Sequence, residues 1–188
     1  MNLTKLFELQ KVLDERIVRE KGLEGRDTLP KKILALQVEL GECANEWRGF
    51  KFWSEDKEPR TCVINREGET ANEYYKNPLL EEYVDCLHFI LSLGNELEAH
   101  GLDVHGHYSE SPNFNIGTRT KKTDVGDQFR KVFRMTALFD MSPRIDSYVE
   151  VSSEFMTLGD ALGFTEELIE SAYYDKNEIN HARQAEGY

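Results

Sequence analysis

Leu3, Leu6, Phe7, Gln10, Leu13 and Ile17 recur at intervals of three and four residues. That spacing gathers side chains on one face and predicts an amphipathic helix of about five turns, ended by the Gly22 to Gly25 region. Ile33, Leu36, Leu40, Ala44 and Trp47 repeat the pattern behind Pro30, a residue suited to a first helical turn because an N–H there would lack a helical partner anyway. A second helix is expected to run to about Arg48, with Gly49 closing it. From Pro78 to about His100 the chain is apolar on nearly every face, as in a helix buried among others, and Gly101 is its expected stop. Asp127 is a candidate cap for a fourth helix through Phe129, Val132, Phe133 and Leu138. Ser142-Pro143 is read as opening a fifth helix, and Thr165 a sixth that runs toward the C-terminus.

Strand-like alternation is nearly absent and no internal repeat is evident, so the pattern predicts an all-α bundle of about six helices, one domain over residues 1–188. Residues 54–77 are charged and carry Pro59 and Gly68, which reads as a solvated connection or insertion. Residues 101–126, rich in Gly, Ser, Asn, Thr and His, are expected to be irregular, with a short hairpin around Asn115 to Lys121. His105 and His107 stand in that stretch without further ligands and are read as solvent-exposed side chains rather than a metal site.

Charge narrows the chemistry. Against 35 acidic residues stand 23 basic ones, a net charge of -12, and no dense basic cluster offsets it. Such a surface repels nucleic acid and anionic membrane, but it can bind a polyanion if divalent cations sit between the two. Cys43, Cys62 and Cys86 show neither disulfide nor zinc spacing and suit a reducing compartment. The first helix is unlike the apolar core of a signal peptide, and the run from Tyr83 to Leu93 is too short to span a bilayer. A cytoplasmic protein is expected.

Glu39, Glu42 and Glu46 lie at relative positions 0, 3 and 7, which at about 100° per residue places them within roughly 60° of one another on the second helix. Glu82 and Asp85 interrupt the apolar third helix. Two ionised carboxylates there would be destabilising unless a cation or hydrogen bonds compensate them, yet no Lys or Arg lies between Asn77 and His100. A divalent cation is the remaining remedy. The pairs Glu39-x-x-Glu42 and Glu82-x-x-Asp85 on packed helices would offer four hard oxygen donors and leave positions for water and phosphate, which suits magnesium. A di-iron site would usually include Glu-x-x-His, whereas His88 follows Asp85. The plain alternative for each pair alone is a solvated helix face, and Glu46 is read as a rim residue.

Near the C-terminus Lys176, Asn180 and Arg183 share a helix face flanked by Asn177 and Gln184. Cations beside amides suit a ligand that is both charged and hydrogen-bonding, such as a nucleotide; a solvated terminal helix is the alternative. Gln10 stands among Leu6, Phe7, Leu9 and Leu13, and a primary amide can donate and accept together, as an imide edge like that of uracil requires. Phe50, Phe52 and Trp53, interleaved with Lys51, could form a stacking wall with a cation, or pack as core at a helix end.

Five stretches in this order resemble the all-α, dimeric dUTPases of the wider MazG-like group of NTP pyrophosphohydrolases, and are similar to the versions of Gram-positive bacteria and their phages. They are Leu9-Gln10-Lys11-Val12-Leu13; Glu39-Leu40-Gly41-Glu42; Lys51-Phe52-Trp53; Glu82-Tyr83-Val84-Asp85 followed by His88-Phe89-Ile90-Leu91-Ser92-Leu93; and Lys176 to Gln184 ending in Gly187-Tyr188. The resemblance implies hydrolysis of dUTP and dUDP to dUMP, with Glu39, Glu42, Glu82 and Asp85 as ligands to more than one magnesium ion. It implies phosphate contacts from Lys176 and Arg183, nucleotide contacts from Asn177, Asn180, Gln184 and Tyr188, and a uracil pocket that includes Gln10 and Trp53. It also implies a homodimer with both subunits lining each site. Asp14 departs from the Asn that several relatives carry near the base, and the segment between the acidic pairs is longer than in MazG-type members.

The expected mechanism has magnesium bridging the carboxylates and the phosphates and activating a water, whose proton goes to Glu39 or Glu42; sequence does not choose between them. A MazG-like pyrophosphohydrolase for dCTP or other NTPs keeps the chemistry and changes the base. A non-catalytic helical module that binds a regulatory protein by its acidic surface is the rival from another class.

Overall fold

The structure, a computed structural model, describes residues 1–67, 74–104, 106 and 123–187. Among the described residues six helices of seventeen residues or more make up the architecture: α1 Leu3–Glu20, α2 Leu29–Trp47, α3 Pro78–Ala99, α4 Val125–Met141, α5 Ile145–Ala161 and α6 Glu166–Ala185. The all-α expectation holds. Two short strands, β1 Val63–Ile64 and β2 Tyr75–Lys76, pair antiparallel between α2 and α3. They lie in the segment read as a plain connection, and two residues each are too few to show alternation. The hairpin expected around Asn115 to Lys121, like His105 and His107, lies outside the described residues.

Local chemistry sets the boundaries. Asn2 and Asn77 cap α1 and α3 by accepting from the N–H groups of Lys5 and Leu80, and Thr165 caps α6 by accepting from Leu168. Two expected starts are corrected. The cap of α4 is Asp124, whose carboxylate accepts from the Asp127 N–H at 2.8 Å, so Asp127 sits in the first turn, where its charge suits the helix N-terminus. Ser142 closes α4 rather than opening α5, which begins at Ile145 behind Arg144. At the end of α2, Arg48 rather than glycine adopts the left-handed conformation (φ 66°), with its guanidinium bonded to Asp56. The expected stop, Gly49, is not in that conformation.

Helix α3 is the centre of the bundle, packed by α1, α2, α5 and α6. Its buried positions, Leu79, Leu80, Tyr83, Val84, Cys86, Leu87, Ile90, Leu91, Leu93 and Leu97 among them, leave no continuous solvent face. The α5 side is closed by aromatic contacts: Tyr83 stacks on Phe155 at 4.3 Å, and the Tyr148 hydroxyl donates to the Ile90 carbonyl at 3.0 Å. Gly94 is required here, because a Cβ would meet Tyr148 Oη at 2.5 Å and Phe7 Cε1 at 2.6 Å. The other flank, facing α2 and α6, carries the acids.

Candidate active site

Packing of α2 against α3 brings Glu39, Glu42 and Glu82 together, with one carboxylate oxygen of each within 4.8 Å of the others. Glu39 and Glu82 are half-buried and Glu42 is exposed. Burial, then the neighbouring charges of Asp85 and Glu42, push Glu39 up to about 7, partly offset by Lys176. Glu82 is likewise pushed up to about 7 by burial, then by Asp85, Glu42 and Glu39. Two acids that resist ionisation first through burial and then through neighbouring carboxylates mark a place where a cation would be favoured.

Asp85 is placed differently. Its Oδ2 accepts from Lys176 Nζ on α6 at 2.6 Å. Burial raises its pKa, against the hydrogen bond and charge of Lys176 and the charge of Arg183. The basic partner that the sequence between Asn77 and His100 lacks is therefore supplied from 91 residues away. Glu46 also has a cation, since Arg60 Nη1 lies 3.2 Å from its Oε1 and the Arg60 N–H donates to the Glu46 carbonyl. It belongs to the docking of the β1–β2 segment and is not among the three clustered acids.

Beside this cluster a second polar network joins α1, α3 and α6. Gln10 is buried, and its Oε1 accepts from His88 Nδ1 at 2.7 Å and from the Tyr173 hydroxyl at 2.9 Å. Its Nε2 donates to Asp14 Oδ1 at 2.9 Å. These bonds fix the Gln10 amide and place the His88 proton on Nδ1, which leaves Nε2 a buried acceptor without a partner. Burial, with the Lys176 charge, holds His88 neutral by pushing its pKa down to about 3, and its ring stacks on Tyr173 at 4.3 Å. Asp14 is raised by burial, against Lys32, Gln10 and Ser92. Asn177, one turn beyond Tyr173, is buried against the same hydroxyl. With the Gln10 oxygen already accepting two bonds, that amide meets an imide edge only by exchanging one of them.

Of the remaining expected residues, Asn180 and Gln184 are half-buried on α6, Gln184 with a buried, unpartnered Oε1, and Arg183 is exposed. Lys51 donates to Asn45 at 2.6 Å. Phe52 and Trp53 are 82% and 65% exposed and meet edge-on at 5.0 Å, so they do not pack as core at the helix end. Tyr188 lies outside the described residues. His88 and Tyr173 are the participants that sequence reasoning missed, although the spacing of Tyr173 from Lys176 and Asn177, three and four residues, would have placed it on their face.

A helical bundle with facing carboxylates, a lysine and an amide-rich terminal helix defines a class of proteins able to handle a phosphorylated ligand through divalent cations. The chain belongs to the dUTPase family, whose model matches residues 2–188. This is the all-α, dimeric dUTPase group, and membership makes the chain an enzyme, a dUTP diphosphatase. None of the curated proteins compared with the chain matches it. Among the described residues no helix is long and apolar enough to cross a membrane.

Proposed function

We propose that the enzyme hydrolyses dUTP, and dUDP, to dUMP in a magnesium-dependent reaction, with Glu39, Glu42, Glu82 and Asp85 holding more than one ion. The observation that carries this reading is the meeting of three carboxylates from two helices within 4.8 Å, two of them half-buried. Hard oxygen donors whose mutual repulsion Lys176 only partly offsets fit a hard divalent cation. Bound ions would supply the charge that brings a triphosphate to an acidic surface and would make water at the site more acidic.

The protein's own groups divide the remaining work. Glu39 or Glu42 accepts the proton of the attacking water. Glu42 is the more open of the two to solvent, and burial is the first cause that pushes Glu39 up to about 7. Lys176 and Arg183 neutralise the phosphates, while Asn177, Asn180, Gln184 and Tyr188 contact the nucleotide. Gln10, in its network with His88, Tyr173 and Asp14, and Trp53 line the uracil pocket, and Lys51 offers a cation to the substrate. Exposed Phe52 and Trp53 suit a homodimer in which a second subunit completes each site. Three free thiols, two of them buried, suit a cytoplasmic location.

Pyrophosphate release from dUTP, with and without magnesium, tests the assignment. Glu82→Gln is expected to lower kcat on the order of a hundredfold or more. Turnover at the wild-type rate would remove the carboxylates from the reaction. A panel of dUTP, dTTP, dCTP and UTP tests the base: discrimination against dCTP supports uracil reading, and equal turnover favours a broader pyrophosphohydrolase.

A further inference from the structure

Asp85 belongs in sequence to the Glu82-x-x-Asp85 pair, yet its position differs from that of its neighbours. Oxygens of Glu39, Glu42 and Glu82 face one another within 4.8 Å, whereas Asp85 Oδ2 faces Lys176 Nζ at 2.6 Å. The two side chains are only 20% and 17% exposed, so water screens the pair less than it would on an open surface. Lys176 is felt across the site: its charge acts on Glu39, Glu82, Asp85 and His88. An ammonium thus stands beside the clustered acids, 2.6 Å from Asp85 Oδ2. It occupies one donor and repels an incoming divalent ion.

A triphosphate changes that balance. Its oxygens carry more charge than a single carboxylate and compete for the same ammonium, and Arg183, two turns further along α6, already acts on Asp85 from the same side. We propose that Lys176 is a latch: it keeps Asp85 out of the metal-binding set until the phosphates of the nucleotide take its ammonium, so the fourth carboxylate joins only when substrate is present. This inference rests on the reading of the four carboxylates as metal ligands. Lys176 is then a positioning residue for the metal site as well as a phosphate contact. Metal and nucleotide reinforce each other's binding by a common factor, as reciprocity of coupled sites requires.

The test is calorimetric titration of Mn2+ into the full chain, with and without the non-hydrolysable α,β-imido analogue of dUTP. In the wild type the analogue should tighten Mn2+ binding about tenfold or more. Asp85→Asn should weaken Mn2+ binding without the analogue less than Glu82→Gln does, since the charge of Asp85 reaches the cluster while its Oδ2 is held by Lys176, and should remove most of that gain. Lys176→Gln should tighten nucleotide-free binding about fivefold and shrink the gain. The latch is overturned if Asp85→Asn weakens nucleotide-free binding as much as Glu82→Gln does, or if folded Lys176→Gln binds Mn2+ with wild-type affinity. Should Lys176→Gln fail to fold, the Asp85→Asn titration decides alone. Wild-type Mn2+ affinity in both Glu39→Gln and Glu82→Gln would overturn the metal assignment itself, and the latch with it.

Discussion

Glu82 and Tyr83 are adjacent in the chain and face opposite demands. Tyr83 is fully buried, stacked on Phe155 and hydrogen-bonded to its carbonyl, so its surroundings are complete within the protein. Glu82 faces two further acids and resists ionisation up to about 7. One flank of α3 is built for stability and the other retains an electrostatic deficit that a ligand can fill. Substitutions on the two flanks should therefore move stability and turnover in different directions.

The largest effect should come from the acidic flank. Glu39→Gln keeps the shape and removes one like charge, so turnover of dUTP is expected to fall on the order of a hundredfold or more while the metal-free protein melts no lower than wild type. Parallel kinetics and thermal melting read both quantities. A loss of melting temperature equal to that of a core substitution would erase the distinction between the flanks.

On the stability flank, Gly94→Ala adds one methyl where Tyr148 Oη and Phe7 already stand within 2.6 Å. Tyr148 would have to give up its bond to the Ile90 carbonyl or α1 would have to shift. A loss of about 2–3 kcal/mol in urea unfolding is expected, with kcat of the folded fraction near wild type. Wild-type stability would mean that this crossing is looser than its geometry.

Proton linkage offers a gentler comparison. The folded protein holds protons on Glu39 and Glu82 up to about 7, against 4.5 ordinarily, so raising pH from about 4.5 to 7 favours the unfolded state through these groups. His88 acts in the opposite sense: its folded value near 3 lies below its ordinary 6.5, and its contribution grows as pH rises through that interval. Comparing wild type with Glu82→Gln isolates the acid. The variant's advantage in metal-free melting temperature should be near zero at pH 4.5, positive at pH 7.5, and reduced at pH 7.5 by saturating magnesium. An advantage independent of pH would assign it to something other than charge.

What sequence reveals follows the same division. Helical period found the stripes Leu6-Phe7-Leu13 and Ile33-Leu36-Leu40 because burial on one face repeats locally. Spacing also put Glu39 beside Glu42 and Glu82 near Asp85, since each pair sits on one helix. It could not show that Lys176 reaches Asp85 across 91 residues, or that His88 Nδ1 and Tyr173 converge on Gln10. Those contacts are set by how helices pack, and no single helix encodes them. The start of α4 was less legible than those at Pro30, Pro78 and Thr165, because Asp124 and Asp127 can both cap a helix until the chain path selects one.

The smallest effects separate two tyrosine hydroxyls. Tyr83→Phe removes a 3.3 Å bond to the Phe155 carbonyl deep in the stability flank. Tyr173→Phe removes a 2.9 Å bond to Gln10 Oε1 and restores a lone pair to that amide. Each should cost about 0.5–1.5 kcal/mol in unfolding. Tyr173→Phe alone should also change KM for dUTP, by a factor of about two to five, because the amide it releases belongs to the proposed base pocket, while kcat at saturating substrate changes little. Equal KM values in the two variants would place the Gln10 network with the core around Tyr83, as packing that happens to be polar.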